Sequence, residues 1–190
     1  MRHLDLGSGP NPKNPYHADE VFGIDLNEYP DCPNVAKANL ALDPIPYSTD
    51  YFDSVSGFDF IEHVPRQVID QRNEELRFCF VELMNEIYRV LKPGGMLYTV
   101  TPCFPRKESF QDPTHVNIIT VDTHKYFCLP DPVANIYGFT GAFELVEARW
   151  LYLSYSKTAY RSRYLSLKNF HKKFIKRQVS HFVWQLRAVK

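Results

Sequence analysis

The chain contains no CxxC pair: its four cysteines, Cys32, Cys79, Cys103 and Cys128, stand far apart among 190 residues. That spacing argues against a zinc ribbon and a dense disulfide framework, and reads as small buried apolar side chains in a reducing, cytoplasmic setting. No apolar run approaches the ~18 residues of a spanning helix. No basic-then-apolar leader precedes the first expected strand, so neither a membrane anchor nor a signal peptide is expected. Internal repeats, low-complexity tracts and linkers are missing too, which favours a single domain over residues 1–190. Acids are absent from residues 157–190, which hold ten Lys and Arg, whereas residues 1–60 hold three cations against ten acids. The formal net charge of zero therefore conceals an acidic front and a basic tail.

What is present is a series of short apolar runs. His3–Leu6 and "VFGIDL" at 21–26 read as buried strands, and "VAKANL" at 35–40 and "FDSVSGFDF" at 52–60 as strands with interleaved polar positions. From about Gln67 to Leu91 the period changes. Leu76, Phe80, Leu83, Met84, Ile87 and Leu91 paint one side of a helix, which Pro93-Gly94-Gly95 stops. "MLYTVT" at 96–101 follows as a fifth strand, then a proline-rich loop and a short helix from about Asp122. Alternation over 143–155 and 180–189 predicts two antiparallel strands, with a basic helical segment at roughly 164–177 between them. The order predicts an α/β sheet whose edge is mixed. Right-handed crossovers then gather the glycine turn, Asp25 and the loop after the fourth strand along one sheet edge, where ligands bind.

The glycine turn, "LGSGPNP" at 6–12, lacks the third glycine of a dinucleotide fingerprint. Prolines at 10, 12 and 15 leave little room for a helix whose N-terminus would hold a pyrophosphate. A ligand that is compact and uncharged at this point is accommodated more easily.

"LDLGSG", "VFGIDLN", "YFDSV", "EHV" and "RVLKPGGMLYTVTP", in this order and spacing, resemble the class I S-adenosylmethionine-dependent methyltransferases, in the branch that acts on small molecules and glycans. The match runs from His3 to about Phe127. It implies a Rossmann-like fold with a seven-stranded mixed sheet and an antiparallel C-terminal strand pair; the helices that the family usually carries before its first strand are missing here, and the one after the glycine turn is expected to be at most a stub. Residues 1–127 would then be the cofactor-binding core, and 128–190 the last strands with a basic helical insertion at about 157–179. The implied cofactor is S-adenosyl-L-methionine. By the resemblance Asp5, Gly7, Ser8 and Gly9 form the turn under its methionine part, and Asp25 accepts hydrogen bonds from both ribose hydroxyls, as an acceptor-only carboxylate can. Leu26 flanks the adenine, Asn39 and Leu40 read its edge although the family often carries an acid at the first position, and Phe58, Asp59 and Phe60 line the sulfonium end. Each of these has a plainer reading: turn glycines, a strand-end acid, core aromatics.

Transfer of a methyl group to a hydroxyl needs the acceptor's proton to leave. His63, after the fourth strand, and His115, in "DPTHVN" after the fifth, are the candidate bases, with Asp112 placed to orient His115. No metal is expected, since Asp112, His115 and His124 match no established ligand spacing. The expected acceptor is an oxygen on a sugar, surface glycan or other small metabolite. The cations and aromatics of the tail suit an anionic glycolipid or membrane surface, or a solvated helix, and less well a nucleic acid. The oligomeric state is left open. Two other functions stay open: a nucleic-acid methyltransferase gripping phosphates with its tail, and a catalytically silent binding subunit.

Overall fold

A computed structural model describes residues 1–70, 74–152 and 179–190. The first apolar runs become strands β1 (Arg2–Leu6), β2 (Glu20–Asp25), β3 (Val35–Lys37) and β4 (Phe52–Phe58). A small hairpin, β5 (Val68–Asp70) with β6 (Glu75–Arg77), precedes helix α1 (Cys79–Val90). The helix passes directly into β7 (Leu91–Pro102), and β8 (Phe143–Tyr152) and β9 (Val179–Ala188) complete the sheet. The seven strands lie in the order β3-β2-β1-β4-β7-β9-β8. Pairing is parallel from β3 through β7 and antiparallel where β9 meets β7 and β8. The α/β mixed sheet is as expected, and α1 is the sole α-helix among the described residues. None there is long and apolar enough to cross a membrane.

Several boundaries differ from the sequence reading. β3 ends at Lys37 rather than Leu40, because Asn39 opens a turn whose carbonyl accepts from the Leu42 and Asp43 amides at 2.8 and 2.7 Å. β4 stops at Phe58 because Asp59 turns the backbone left-handed, with φ +51°. The helix expected from Gln67 begins only at Cys79: Leu76 fits its period, yet pairs with Ile69 across the hairpin and is 52% exposed. Cross-strand pairing there overrides helical spacing. The expected helix near Asp122 is a 3-10 turn, Thr123–Phe127. The last strands run over Phe143–Tyr152 and Val179–Ala188, against the expected 143–155 and 180–189. The basic helical segment at 157–179 lies, but for its last residue, outside the described residues.

The apolar stripe of α1, Phe80, Leu83, Met84, Ile87 and Val90, packs into one cluster with Leu4, Leu6, Ile24, Val55 and Leu97. Pro93-Gly94-Gly95, expected to stop the helix, lies just past its end and forms a bulge in β7: Phe52 faces Leu91 while Ser54 already faces Met96. Cys79, Cys103 and Cys128 are buried free thiols, whereas Cys32 is only half-buried. Beneath the glycine turn the parallel register sets His3 opposite Ser54 and Asp5 opposite Ser56. A buried polar chain results. Ser56 Oγ donates to Asp5 Oδ1 at 2.6 Å, the other Asp5 oxygen accepts the Lys13 amide at 2.8 Å, and His3 bridges Ser54 and Ser56 at 2.7 and 2.9 Å. Since Ser56 spends its proton on Asp5, it accepts from His3 Nε2–H, and His3 Nδ1 accepts from Ser54.

Burial pushes His3 down to about 4 and Asp5 up to about 6. His3 is thus depressed below its unfolded value, so its contribution is present above 6.5 and is lost as pH falls toward 4. Asp5 acts oppositely, losing stability as pH rises from 3.8 through 6. His3→Gln removes the first effect and keeps the second. The destabilisation it causes at pH 7 is therefore expected to shrink by roughly 2–3 kcal/mol by pH 4. Denaturant unfolding of both proteins across that range checks it, and a pH-independent difference would refute the assignment.

Candidate active site

Gly7 turns the chain at the end of β1 with φ +65°, and its amide donates to Ile24 O at 2.8 Å. A Cβ there would lie 2.6 Å from the Phe60 ring. Gly23, opposite in β2, has no room for a side chain because its Cβ would fall on the Ser8 hydroxyl. These contacts hold the turn flat against β2, and Asp25 locks it: Oδ2 accepts the Gly9 amide at 2.9 Å, while Oδ1 accepts the Asn27 amide at 2.9 Å. Oδ1 also accepts from Asn27 Nδ2 at 3.2 Å and from the Tyr29 hydroxyl at 3.5 Å, so it is Oδ2 that keeps a second lone pair. Residues 10–19 contain no helix, so the stub expected after the turn is an irregular stretch, as three prolines dictate.

A cavity of about 260 Å³ opens beside this turn, lined among others by Gly7, Asp25, Leu26, Asn39, Leu40, Asp59, Phe60 and His63. Apolar walls with a few convergent polar groups are what small-molecule sites present, although the volume is near their lower bound of about 300 Å³. Eight of the fourteen residues singled out from sequence therefore meet in one place. Asp5 and Ser8 do not line it; both are buried and act on the turn from beneath. Gly9 is also absent from the lining and contributes its amide to Asp25. Phe58 is a correction: it packs on the opposite sheet face with Tyr98, rings 5.7 Å apart, under Lys13. The cause is strand alternation, which gives Phe58 the face of Ser56 and leaves Phe60, beyond the Asp59 turn, on the cavity. The Asn39 side-chain oxygen Oδ1 is engaged as well, accepting the Ala41 amide at 3.2 Å to close its own turn.

The histidine corner is assembled from two loops. A 3-10 turn, Ile61–His63, follows β4, and the loop after β7 returns over it. Glu62 O accepts the Val116 and Asn117 amides at 3.0 and 2.9 Å, and Asn117 Nδ2 donates to Ile61 O at 3.1 Å. This pinning places the His63 and His115 rings 4.8 Å apart, edge to face. Thr114 Oγ1 lies 2.9 Å from His63 Nδ1 and 2.6 Å from Asp112 Oδ1. Its single proton goes to the carboxylate, held below the usual carboxylate range chiefly by that hydroxyl. Thr114 therefore accepts from His63 Nδ1–H, and Nε2 of His63 carries the lone pair. Asp112 thus orients His63 through Thr114; its nearer approach to His115, 4.0 Å, is too long for the direct hydrogen bond expected from sequence. His124 is no part of this corner, being buried against Phe182 and Trp184.

Sequence reasoning left three contributors outside its site. Glu62 is 1% exposed, with Oε2 accepting from Thr101 at 2.9 Å and Oε1 unpartnered, and burial pushes its carboxyl up to about 8. Thr114 gave no signal beyond its place between Asp112 and His115. His181 reads as an inward strand residue, yet its Nε2 lies 2.8 Å from Asp59 Oδ1 and its Nδ1 2.9 Å from Ser180 Oγ. That contact, together with the left-handed backbone of Asp59, fixes one wall of the cavity.

No family model matches the chain, and no curated protein matches it in sequence. Its fold, however, is shared with many solved structures. A SAM-dependent methyltransferase of Methanosarcina mazei aligns over 99% of this chain and 92% of its own, with a TM-score of 0.54 and 16% identity. One from Archaeoglobus fulgidus aligns over 98% and 85%, at 0.53 and 17%. The [4+2]-cyclase SpnF aligns over 99% and 74%, at 0.53 and 16%. The chain therefore has the class I methyltransferase fold. At such identities the likeness extends to architecture, and the chemistry must be argued from the site.

Proposed function

We propose that this protein is an S-adenosylmethionine-dependent methyltransferase whose acceptor is an oxygen of a sugar, glycan or other small metabolite. The observation that carries the reading is one cavity lined by Gly7 of the glycine turn, by Asp25 and by His63. The residues fit the cofactor: Asp25 Oδ2 retains a lone pair for a ribose hydroxyl, Leu26 and Leu40 offer apolar walls for a base, and Gly7 presents bare backbone. When bound, the cofactor supplies an electrophilic methyl carbon and a neutral thioether leaving group. The chain's own part is then positioning and proton removal. His63 Nε2 faces the acceptor hydroxyl and takes its proton as the carbon–oxygen bond forms and the carbon–sulfur bond breaks. Thr114 and Asp112 hold the imidazole in the tautomer that permits this.

Asp25→Ala is expected to weaken S-adenosylhomocysteine binding by roughly 100-fold, since a hydrogen bond to a charged group and the lock on the Gly9 amide are both lost. Calorimetric titration measures it. Wild-type protein that gives no heat with this ligand, or an Asp25→Ala variant that binds equally well, would remove the basis of the reading. Incubation with labelled cofactor and fractionated extract identifies the acceptor.

A further inference from the structure

We propose that Glu62, His63 and His115 form a binding site for one divalent transition-metal ion at the acceptor end of the cavity. Each residue offers one ligand atom, and these atoms all lie within 4.8 Å of one another. Bonds of roughly 2.0–2.2 Å require each side chain to close by only about 1 Å or less. Independent features point to a ligand there. Glu62 is fully enclosed, yet Oε1 has no partner while Oε2 is anchored by Thr101. His115 Nδ1 is likewise buried and unpartnered. A buried polar atom without a partner costs about 1–3 kcal/mol, a penalty that coordination removes.

The surroundings are those of a metal ligand set. A hydroxyl and a carboxylate, Thr114 and Asp112, hold His63 by Nδ1 and leave Nε2 as donor, as outer partners of metal-bound imidazoles do. The two amides on Glu62 O fix the spacing of the loops. Two imidazoles with one carboxylate favour manganese, iron, cobalt or zinc over magnesium or calcium, which prefer all-oxygen cages. Three protein ligands leave open positions, and His63 lines the cavity into which they face. Resting on the methyltransferase reading, the substrate consequence is an acceptor whose hydroxyl occupies an open position. Coordination acidifies that hydroxyl, so its proton passes to solvent while the oxygen takes the methyl group; His63 is then a ligand in the metal-loaded protein and the base in the metal-free one.

Chelator-treated full-length protein is titrated with cobalt(II) chloride and followed by visible absorption. Saturation at one equivalent is expected, weakened roughly 100-fold in Glu62→Gln and His115→Gln and roughly 10-fold in Thr114→Val. S-adenosylhomocysteine titration and far-ultraviolet circular dichroism of each variant confirm folding, and should one variant fail to fold, the others decide. No one-equivalent saturation at millimolar cobalt, or folded variants that bind as wild type does, overturns the site. Cobalt binding without S-adenosylhomocysteine binding instead overturns the proposed function and leaves the metal site standing.

Discussion

Gly7→Ala is expected to cost about 2–4 kcal/mol of stability and to abolish cofactor binding, whereas Gly9→Ala costs about 1–2 kcal/mol. Both glycines have positive φ, +65° and +58°, so both substitutions carry the left-handed penalty. They differ in what a methyl group would touch. At Gly9 nothing lies within 4 Å; at Gly7 the new carbon would sit 2.6 Å from the Phe60 ring. Relief must come from shifting Phe60 into the cavity or lifting the turn off Ile24 O. Either deforms the wall expected to carry the methionine part of the cofactor. Chemical denaturation of the two variants, with ligand titration, is the test; equal losses of stability would show that Phe60 yields freely.

Removing the imidazole at position 63 carries the second large effect. His63→Ala is expected to lower turnover by about 10²–10⁴-fold, the range for a positioned proton acceptor. Affinity for S-adenosylhomocysteine should stay within a few fold, because His63 follows β4 whereas Asp25 ends β2, with β1 between those strands in the sheet. Thr114→Val keeps the ring but removes the hydroxyl that fixes its tautomer, so an intermediate loss in turnover should follow. Steady-state rates beside calorimetry separate the two quantities. Full activity in His63→Ala, or a loss that tracks cofactor affinity, would exclude His63 from the acceptor corner.

The sheet was largely legible from the sequence because its evidence is local: apolar runs of four to nine residues, bounded by Gly, Pro and Asn, become β1 to β4, with β3 cut to half its expected length. The cavity was legible for a related reason. Parallel strands deliver their trailing loops to one edge, so residues that end strands, such as Gly7, Asp25 and Asn39, meet there whatever lies between them. What was hidden depends on non-local pairing. Leu76 carries helical spacing, and only its partner Ile69 makes it a strand. Phe58 and Phe60 look equivalent in the sequence, and only the left-handed Asp59 between them puts one on each side of the sheet. The role of Asp112 was misassigned because three-residue spacing suggested His115, while Thr114 turns the carboxylate's influence onto His63, 51 positions earlier. Glu62 passed unnoticed because a lone acid beside a histidine is ordinary until its burial is known.

The reversal of chain direction at the sheet's far edge has one more outcome. Pro102, where β7 ends, stands opposite His181, and Tyr152 stands opposite Val179, so the chain departs after β8 and rejoins at β9 on the very rim that carries the loops after β1, β4 and β7. The intervening stretch, 153–178, contains eight Lys and Arg and no acid. The returning point supplies the imidazole that contacts Asp59, so this stretch leaves and rejoins the sheet on the rim that carries the candidate site.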